Sequence, residues 1–221
     1  MDFRTEDHAD MCHALKVRWT VIPQTAPRPW IACSGCGASR PFQSSGKIRL
    51  NANGRRLDAW LIYKCLACDR TWNRPIFERR NVRDIDPAVL AALQSNDADW
   101  IHAETFNIEA LRRKSARIDE FPEVEVVKVL PQDVLDWTRL TIELIVPLPV
   151  STRLDRLLAA ELKISRTRLQ VLHEGGALRT NCGRADALRR RIRTGMQVTL
   201  DLAGETDRER SWRPPATGDG P

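Results

Sequence analysis

The stretch CSGCGASRPFQSSGKIRLNANGRRLDAWLIYKCLACD, residues 33–69, decides how the N-terminal part of this chain folds. It holds two Cys-x-x-Cys motifs, Cys33/Cys36 and Cys65/Cys68, with 28 residues between them. In such a knuckle the turn brings both thiolates towards one cation, and the backbone amides soften their charge. Gly35 and Gly37 let the first turn be tight. The residues between the knuckles read as a β-hairpin. Asn53-Gly54 tolerates the positive φ of a type I′ turn. The first arm alternates, with Ile48 and Leu50 on one face and Lys47 and Arg49 on the other; the second ends in Ala59–Tyr63, apolar enough for burial on both faces. A hairpin that joins two knuckles supplies four sulfurs at tetrahedral spacing, which suits zinc; iron also fits the donor set. Four cysteines leave no open position, so the expected role is structural, and a small unit with few large apolar residues needs the metal to fold. A thioredoxin-type redox pair needs a βαβ context, which a hairpin does not provide.

Working outward, the chain has 221 residues, 42% hydrophobic and 29% charged, an ordinary globular mix that argues against wholesale disorder and fibrous folds. The longest apolar stretch, around Leu144–Val150, is broken by two prolines and is far too short to span a bilayer. The N-terminal MDFRTEDHADMC is acidic without an apolar core, so no secretory signal is expected, and the reading is a cytoplasmic, bacterial-type protein. In that compartment a disulfide framework is the weaker use of six cysteines. Cys12 and His13 are nearby in sequence but read more simply as an apolar filler and a surface residue; Cys182 has no paired neighbour.

The net charge is +6, with 29 arginines and 6 lysines. A GC-rich genome would account for the arginine bias, although arginine is also the better fork for phosphate. The charge is uneven: net +6 over residues 1–86, −5 over 87–150, +6 over 151–202 and −1 beyond. Two basic blocks able to attract a polyanion therefore flank an acidic middle.

The predicted fold class is α+β in four parts: a β-rich zinc ribbon over residues 1–80, a small α/β middle region over 81–146, an αα-β module over 147–203 and a disordered tail over 204–221. Residues 15–22 read as a strand. Pro87 opens a helical pattern that SNDAD splits in two, and Asn107–Ile118 is a further helix candidate. EVEVVKVL (123–130) and RLTIELIV (139–146) alternate as strands do. The tail GETDRERSWRPPATGDGP is polar and rich in proline and glycine.

The knuckle pair around the basic NANGRRLD hairpin, followed by a helix-like stretch containing SNDADW, resembles an uncharacterised bacterial family, domain of unknown function 1062, over roughly residues 15–200. That resemblance implies no activity. A second resemblance lies in RLDRLLAAELKISRTRLQVLHEGGALRTN, residues 153–181. Leu154, Leu157, Leu158 and Leu162 form one apolar stripe; Ser165 is a candidate N-cap for a second helix buried through Leu169 and Leu172; Gly175-Gly176 stops it. The strands Ala177–Thr180 and 196–202 follow. The registers of Arg153-Leu154-Asp155, Ser165-Arg166, Gly176-Ala177-Leu178-Arg179, Asn181/Gly183 and Gly195 resemble the RNA-binding domain named after small-subunit ribosomal protein S-four. Thr180, Cys182 and Met196 depart from that pattern.

The S-four resemblance implies that Arg153, Arg156, Arg166, Arg168 and Arg179 hold an RNA backbone; Arg189, Arg190, Arg191 and Arg193, on the next connection, are candidates to extend the patch. Chemistry agrees for Arg166 and Arg168, which sit at a helix N-terminus. The plainer reading is a solvated charged face. Lys47, Arg49, Arg55 and Arg56 make a second basic surface on the hairpin; Trp60 and Tyr63 interleave with it and can stack bases, but core packing beside the metal is the simpler use. Trp19, Trp30, Trp72, Trp100 and Trp137 are assigned to the core. No phosphate-binding loop, nucleophile elbow or HExxH motif is present, and the four histidines lack a nucleophile partner. The expectation is a non-enzymatic, zinc-containing binder of structured RNA, ribosomal or transfer RNA. Alternatives are an adaptor on the ribosome or RNA polymerase, an RNA-modifying or zinc-dependent enzyme, and a DNA-binding ribbon.

Overall fold

The computed structural model describes residues 14–218, so Cys12 and His13 lie outside the described residues. In chain order the strands are β1 (Ala14–Pro23), β2 (Arg28–Cys33), β3 (Ala38–Asn53), β4 (Arg56–Cys65), β5 (Thr71–Asn81), β6 (Ile118–Asp119), β7 (Val124–Val129), β8 (Arg139–Ile145), β9 (Leu178–Thr180) and β10 (Gln197–Asp201). The α-helices are α1 (Pro87–Ser95), α2 (Ala98–Thr105), α3 (Ile108–Arg112), α4 (Leu154–Glu161), α5 (Arg166–Glu174), α6 (Arg208–Ser211) and α7 (Arg213–Thr217). The class is α+β, rich in strand, with two five-stranded sheets. Two compact units result: residues 25–121, and residues 14–24 together with 122–218. Among the described residues no helix is long and apolar enough to cross a membrane.

The 25–121 unit is an antiparallel sheet in the order β5-β4-β3-β2-β6. The hairpin forms, but its turn lies one residue later than the Asn53-Gly54 reading places it. Asn53 pairs with Arg56, leaving Gly54-Arg55 as the loop, and Gly54 alone takes positive φ, 59°. Ala59–Tyr63 is not buried on both faces. Leu57, Ala59, Leu61, Tyr63 and Cys65 are buried, while the residues between them are half-buried or exposed. Phe42, Leu61 and Tyr63 form a core with Ile101 of α2 and Leu111. Asp86 caps α1, whose Pro87 sits where a missing N–H costs nothing; Asp97 caps α2. The helix expected over Asn107–Ile118 ends at Arg112. Ser115 explains the stop: its hydroxyl accepts the Trp30 N–H at 3.1 Å, and Ile118 then pairs with Pro29 of β2.

The other unit is a mixed sheet in the order β7-β1-β8-β10-β9, with β1 parallel to β8 and the remaining pairs antiparallel. Trp19, Trp137, Leu140, Ile142, Leu154, Leu158, Leu169 and Leu200 are fully buried in its core. The leucine stripe of α4 falls inward as its spacing predicts, and Ser165 caps α5 by accepting the Arg168 N–H at 3.1 Å.

Two expectations about organisation are corrected. Residues 81–146 are not a region of their own: α1–α3 and β6 belong with the first sheet, β7 and β8 with the second. The partner that makes β8 a central strand is β1, more than a hundred residues earlier, and local patterning carries no trace of such a pairing. For the same reason residues 14–24 leave the hairpin unit. The described part of the tail, residues 204–218, is not disordered. Residues 208–217 form α6 and α7, with Trp212 and Ala216 buried in the core. Pro214 and Pro215 sit in the first turn of α7, where proline is tolerated, and Gly218 ends the helix in the left-handed region.

Candidate functional site

The four cysteines meet at the end of the β2–β5 sheet. Cys33 ends β2, Cys65 ends β4, and Cys36 and Cys68 follow each after a tight turn. The two knuckles repeat one geometry. Gly37 N–H donates to the Cys33 carbonyl at 2.9 Å, and Asp69 N–H to the Cys65 carbonyl at 3.0 Å. Both donors take positive φ, 65° and 57°. Glycine does so freely, and aspartate is one of the residues that tolerate it.

All four Sγ atoms lie within 4.8 Å of one another; Cys33 and Cys68 are 3.4 Å apart, Cys36 and Cys65 3.9 Å. A tetrahedron of Zn–S bonds of ~2.3 Å places its sulfurs ~3.8 Å apart, so the donor set fits such an ion with small adjustments. Gly35 is part of the fit. A Cβ there would stand 3.0 Å from Cys68 Sγ and 2.7 Å from Arg70 Cγ. Ala67 N–H donates to Cys65 Sγ at 3.5 Å.

Crowding sets the protonation of the thiols. Burial works to raise Cys33, but the backbone N–H groups of Cys36 and Gly35 and the Cys68 thiol outweigh it and bring Cys33 down to about 7. At Cys68 a hydrogen bond from Arg70 favours the thiolate, yet the neighbouring sulfurs of Cys33 and Cys36 push it up to about 12. Four thiolates cannot share this space without a cation, which is the chemistry of a metal-binding cluster. Cys182 is exposed, and Thr180 holds its thiol below the ordinary value.

The arginines of the C-terminal block divide into engaged and available groups. Arg153 forms a fork with Asp155 through contacts of 3.1 and 2.6 Å. Arg168 pairs with Glu205 at 2.6 Å and lies 5.7 Å from the Trp212 ring centre. Arg190 pairs with Asp186 at 3.0 Å, and Arg179 donates to the Gly176 carbonyl. Arg191 joins Arg153 in an isolated β-bridge and is not free. Arg156, Arg166, Arg189 and Arg193 are exposed and have no ion pair among the described residues. Lys163, exposed in the α4–α5 turn at φ 55°, is a further cation there; its place just before the Ser165 cap was the available signal.

On the hairpin, Lys47, Arg49, Arg55 and Arg56 are all exposed. The β4–β5 register adds Arg80, opposite Leu57, and Asn81, opposite Arg56, so the FERRN segment enlarges this basic end. Tyr63 is fully buried in the core, whereas Trp60 is only half-buried with Arg49 5.9 Å from its ring centre. Trp19 and Trp137 are core residues; Trp30, Trp72 and Trp100 are partly buried.

No curated protein and no solved structure matches the chain. One family does, over residues 50–184, more than half of the chain. The match takes in the second knuckle, Cys65 and Cys68, and leaves the first outside it. With the hairpin turn, its second arm, the second knuckle and the α4–α5 pair inside that span, this chain belongs to the family described as protein of unknown function, DUF1062.

Proposed function

We propose that this protein is a zinc-stabilised, non-enzymatic binder of structured RNA, acting through an S-four-type module built from α4, α5, β9 and β10. The observation that carries the reading is the set of exposed arginines without an ion pair among the described residues, Arg156, Arg166, Arg189 and Arg193, on and beside one helix pair. The order of two short helices followed by two antiparallel strands, with Ser165 capping the second helix, supports it. Guanidinium forks suit phosphate oxygens, and a helix start adds a favourable dipole at Arg166. Zinc in the cysteine cluster fills all four positions with protein ligands and so serves the fold of the 25–121 unit.

The test is a titration of the zinc-loaded protein with fluorescent structured RNA and duplex DNA across a salt series. Preference for the RNA, with a slope equivalent to roughly four to six phosphate contacts, is the expected result. Arg156→Glu with Arg166→Glu should weaken that binding by at least tenfold with the melting temperature unchanged. Equal affinity of the double variant and the native protein would remove the site from these helices. Failure of both nucleic acids to bind at physiological salt would move the reading to a protein adaptor.

A further inference from the structure

The sheet of the 25–121 unit has two faces of opposite character. On one, Leu61 and Tyr63 pack with Phe42, Ile101 and Leu111. The other carries the alternate residues of β4, among them Trp60, Ile62 and Lys64. Register places Arg49 and Pro75 on either side of Trp60, and Lys47 and Asn73 on either side of Ile62. Among the described residues, Trp60 and Ile62 belong to neither apolar core.

Such a face has no structural need for a large aromatic. It is also basic: among β4 and the β3 residues paired with it, register places Lys47, Arg49, Arg56 and Lys64 on this face against one carboxylate, Asp58. The nearest carboxylate on this face, Asp58, is occupied by the Arg79 N–H and the Asn51 amide. An indole flanked by an arginine and a lysine, with amide side chains beside it, matches the chemistry of an unstacked base on a phosphodiester chain. The base stacks on the ring, the cations take the phosphates, and the amides reach the base edges. A duplex hides its base faces and cannot use the indole.

We propose that this sheet face binds single-stranded nucleic acid, with a base stacked on Trp60 and the backbone held by Lys47 and Arg49. The site is built only from residues of the 25–121 unit and stands or falls without the arginines of α4 and α5.

The test is fluorescence anisotropy of the zinc-loaded protein with a labelled ten-nucleotide uridine oligomer, its deoxythymidine counterpart and a duplex of the same length. Either single strand should bind more tightly than the duplex. Trp60→Leu should raise the single-strand Kd about tenfold or more, while Trp60→Phe keeps most of the affinity. Lys47→Glu with Arg49→Glu, both at exposed positions, should lower the salt slope by about 1.4, the value for two phosphates on a single strand. Arg156→Glu with Arg166→Glu should leave single-strand binding in place. The proposal is overturned if the duplex binds as well as the single strands, or if the two charge reversals on the sheet leave affinity and slope unchanged. It is equally overturned if single-strand binding disappears only in the α4–α5 variant.

Discussion

The indole N–H of Trp19 donates to the backbone carbonyl of Ala216, 197 residues further along the chain, at 2.8 Å. Lys128 joins the same contact: its ammonium donates to the Pro215 carbonyl at 2.6 Å, pairs with Glu161 at 2.7 Å and stands 5.0 Å from the Trp19 ring centre. The C-terminal helices thereby close the core over β1 and β7, and Trp212 fills the space between them and the sheet. Trp212→Ala should therefore lower the stability of this unit by about 3–5 kcal/mol, the cost of a large buried aromatic. Urea unfolding followed by circular dichroism reads it, and an unchanged midpoint would show that α6 and α7 do not support the core.

Gly35 stands against Cys68 of the cysteine cluster and against Arg70, with no room for a methyl group. Gly35→Ala should push Cys68 out of place and weaken metal retention by about tenfold or more, within the range of changes beside metal ligands. Cys65→Ser should lose the ion altogether and unfold the 25–121 unit. Competition with a chromogenic chelator measures the first, metal content and thermal melting the second. A folded, metal-free Cys65→Ser protein would refute the structural role.

Metal retention should depend on pH in a direction set by the thiols. Only the thiolate ligates, so protons compete with the ion. Cys33 is held at about 7, so above that value it is already ionised; below it the thiol carries one proton that the metal must displace. Cys68, raised to about 12, must lose its proton to the metal at any ordinary pH. Affinity should therefore fall as pH falls, with an added proton of dependence below about 7. Zinc release followed with an indicator dye from about one unit above to about two units below the Cys33 value checks the slope; a flat profile would exclude thiolate ligation.

Arg168→Glu should separate packing from binding. The side chain pairs with Glu205 and lies against Trp212, so its reversal affects the fold as well as the basic surface. A loss of up to about 1 kcal/mol is expected, the upper range for a solvent-exposed ion pair. Arg166→Glu, at a position with no such partner among the described residues, should leave the melting temperature unchanged.

The parts of this structure legible in the sequence are those written by local chemistry. The knuckles, the hairpin arms, the helix start at Pro87, the Ser165 cap and the leucine stripe of α4 each depend on residues a few positions apart. The hairpin turn slipped by one residue because Asn53 and Gly54 tolerate positive φ alike, whereas cross-strand pairing of Asn53 with Arg56 decided between them. The unit boundaries were not legible, since the parallel pairing of β1 with β8 joins segments with nothing in common but alternation. The C-terminal helices were hidden by composition: two prolines and several charges surround one tryptophan, and only the tertiary pocket shows that Trp212 outweighs them. Which arginines are free was equally out of reach, because Glu205 and Asp186 become partners only after folding.

Asn96 holds the bulge that shapes the hairpin. It ends α1 in the left-handed region at φ 55°, and its side chain reaches β3. There its carbonyl oxygen accepts the Ile48 N–H at 2.8 Å and its amide donates to the Gly46 carbonyl at 3.3 Å. Ser45 and Gly46 are the two residues of β3 without a register partner on β4, where the register shifts between Ser44 and Lys47; the Ser45 hydroxyl donates to the Ile62 carbonyl at 2.9 Å. The bulge thus exposes backbone groups that Asn96 satisfies in place of the sheet. Asn96→Gly preserves the left-handed cap and removes only these bonds, so it should destabilise the 25–121 unit by about 1–2 kcal/mol. Asn96→Ala loses the bonds and also strains the cap, so it should cost about 1 kcal/mol more. Urea unfolding of the two variants with zinc bound measures the difference. Equal stability of Asn96→Gly and the native protein would mean that water serves the bulge as well as the side chain does.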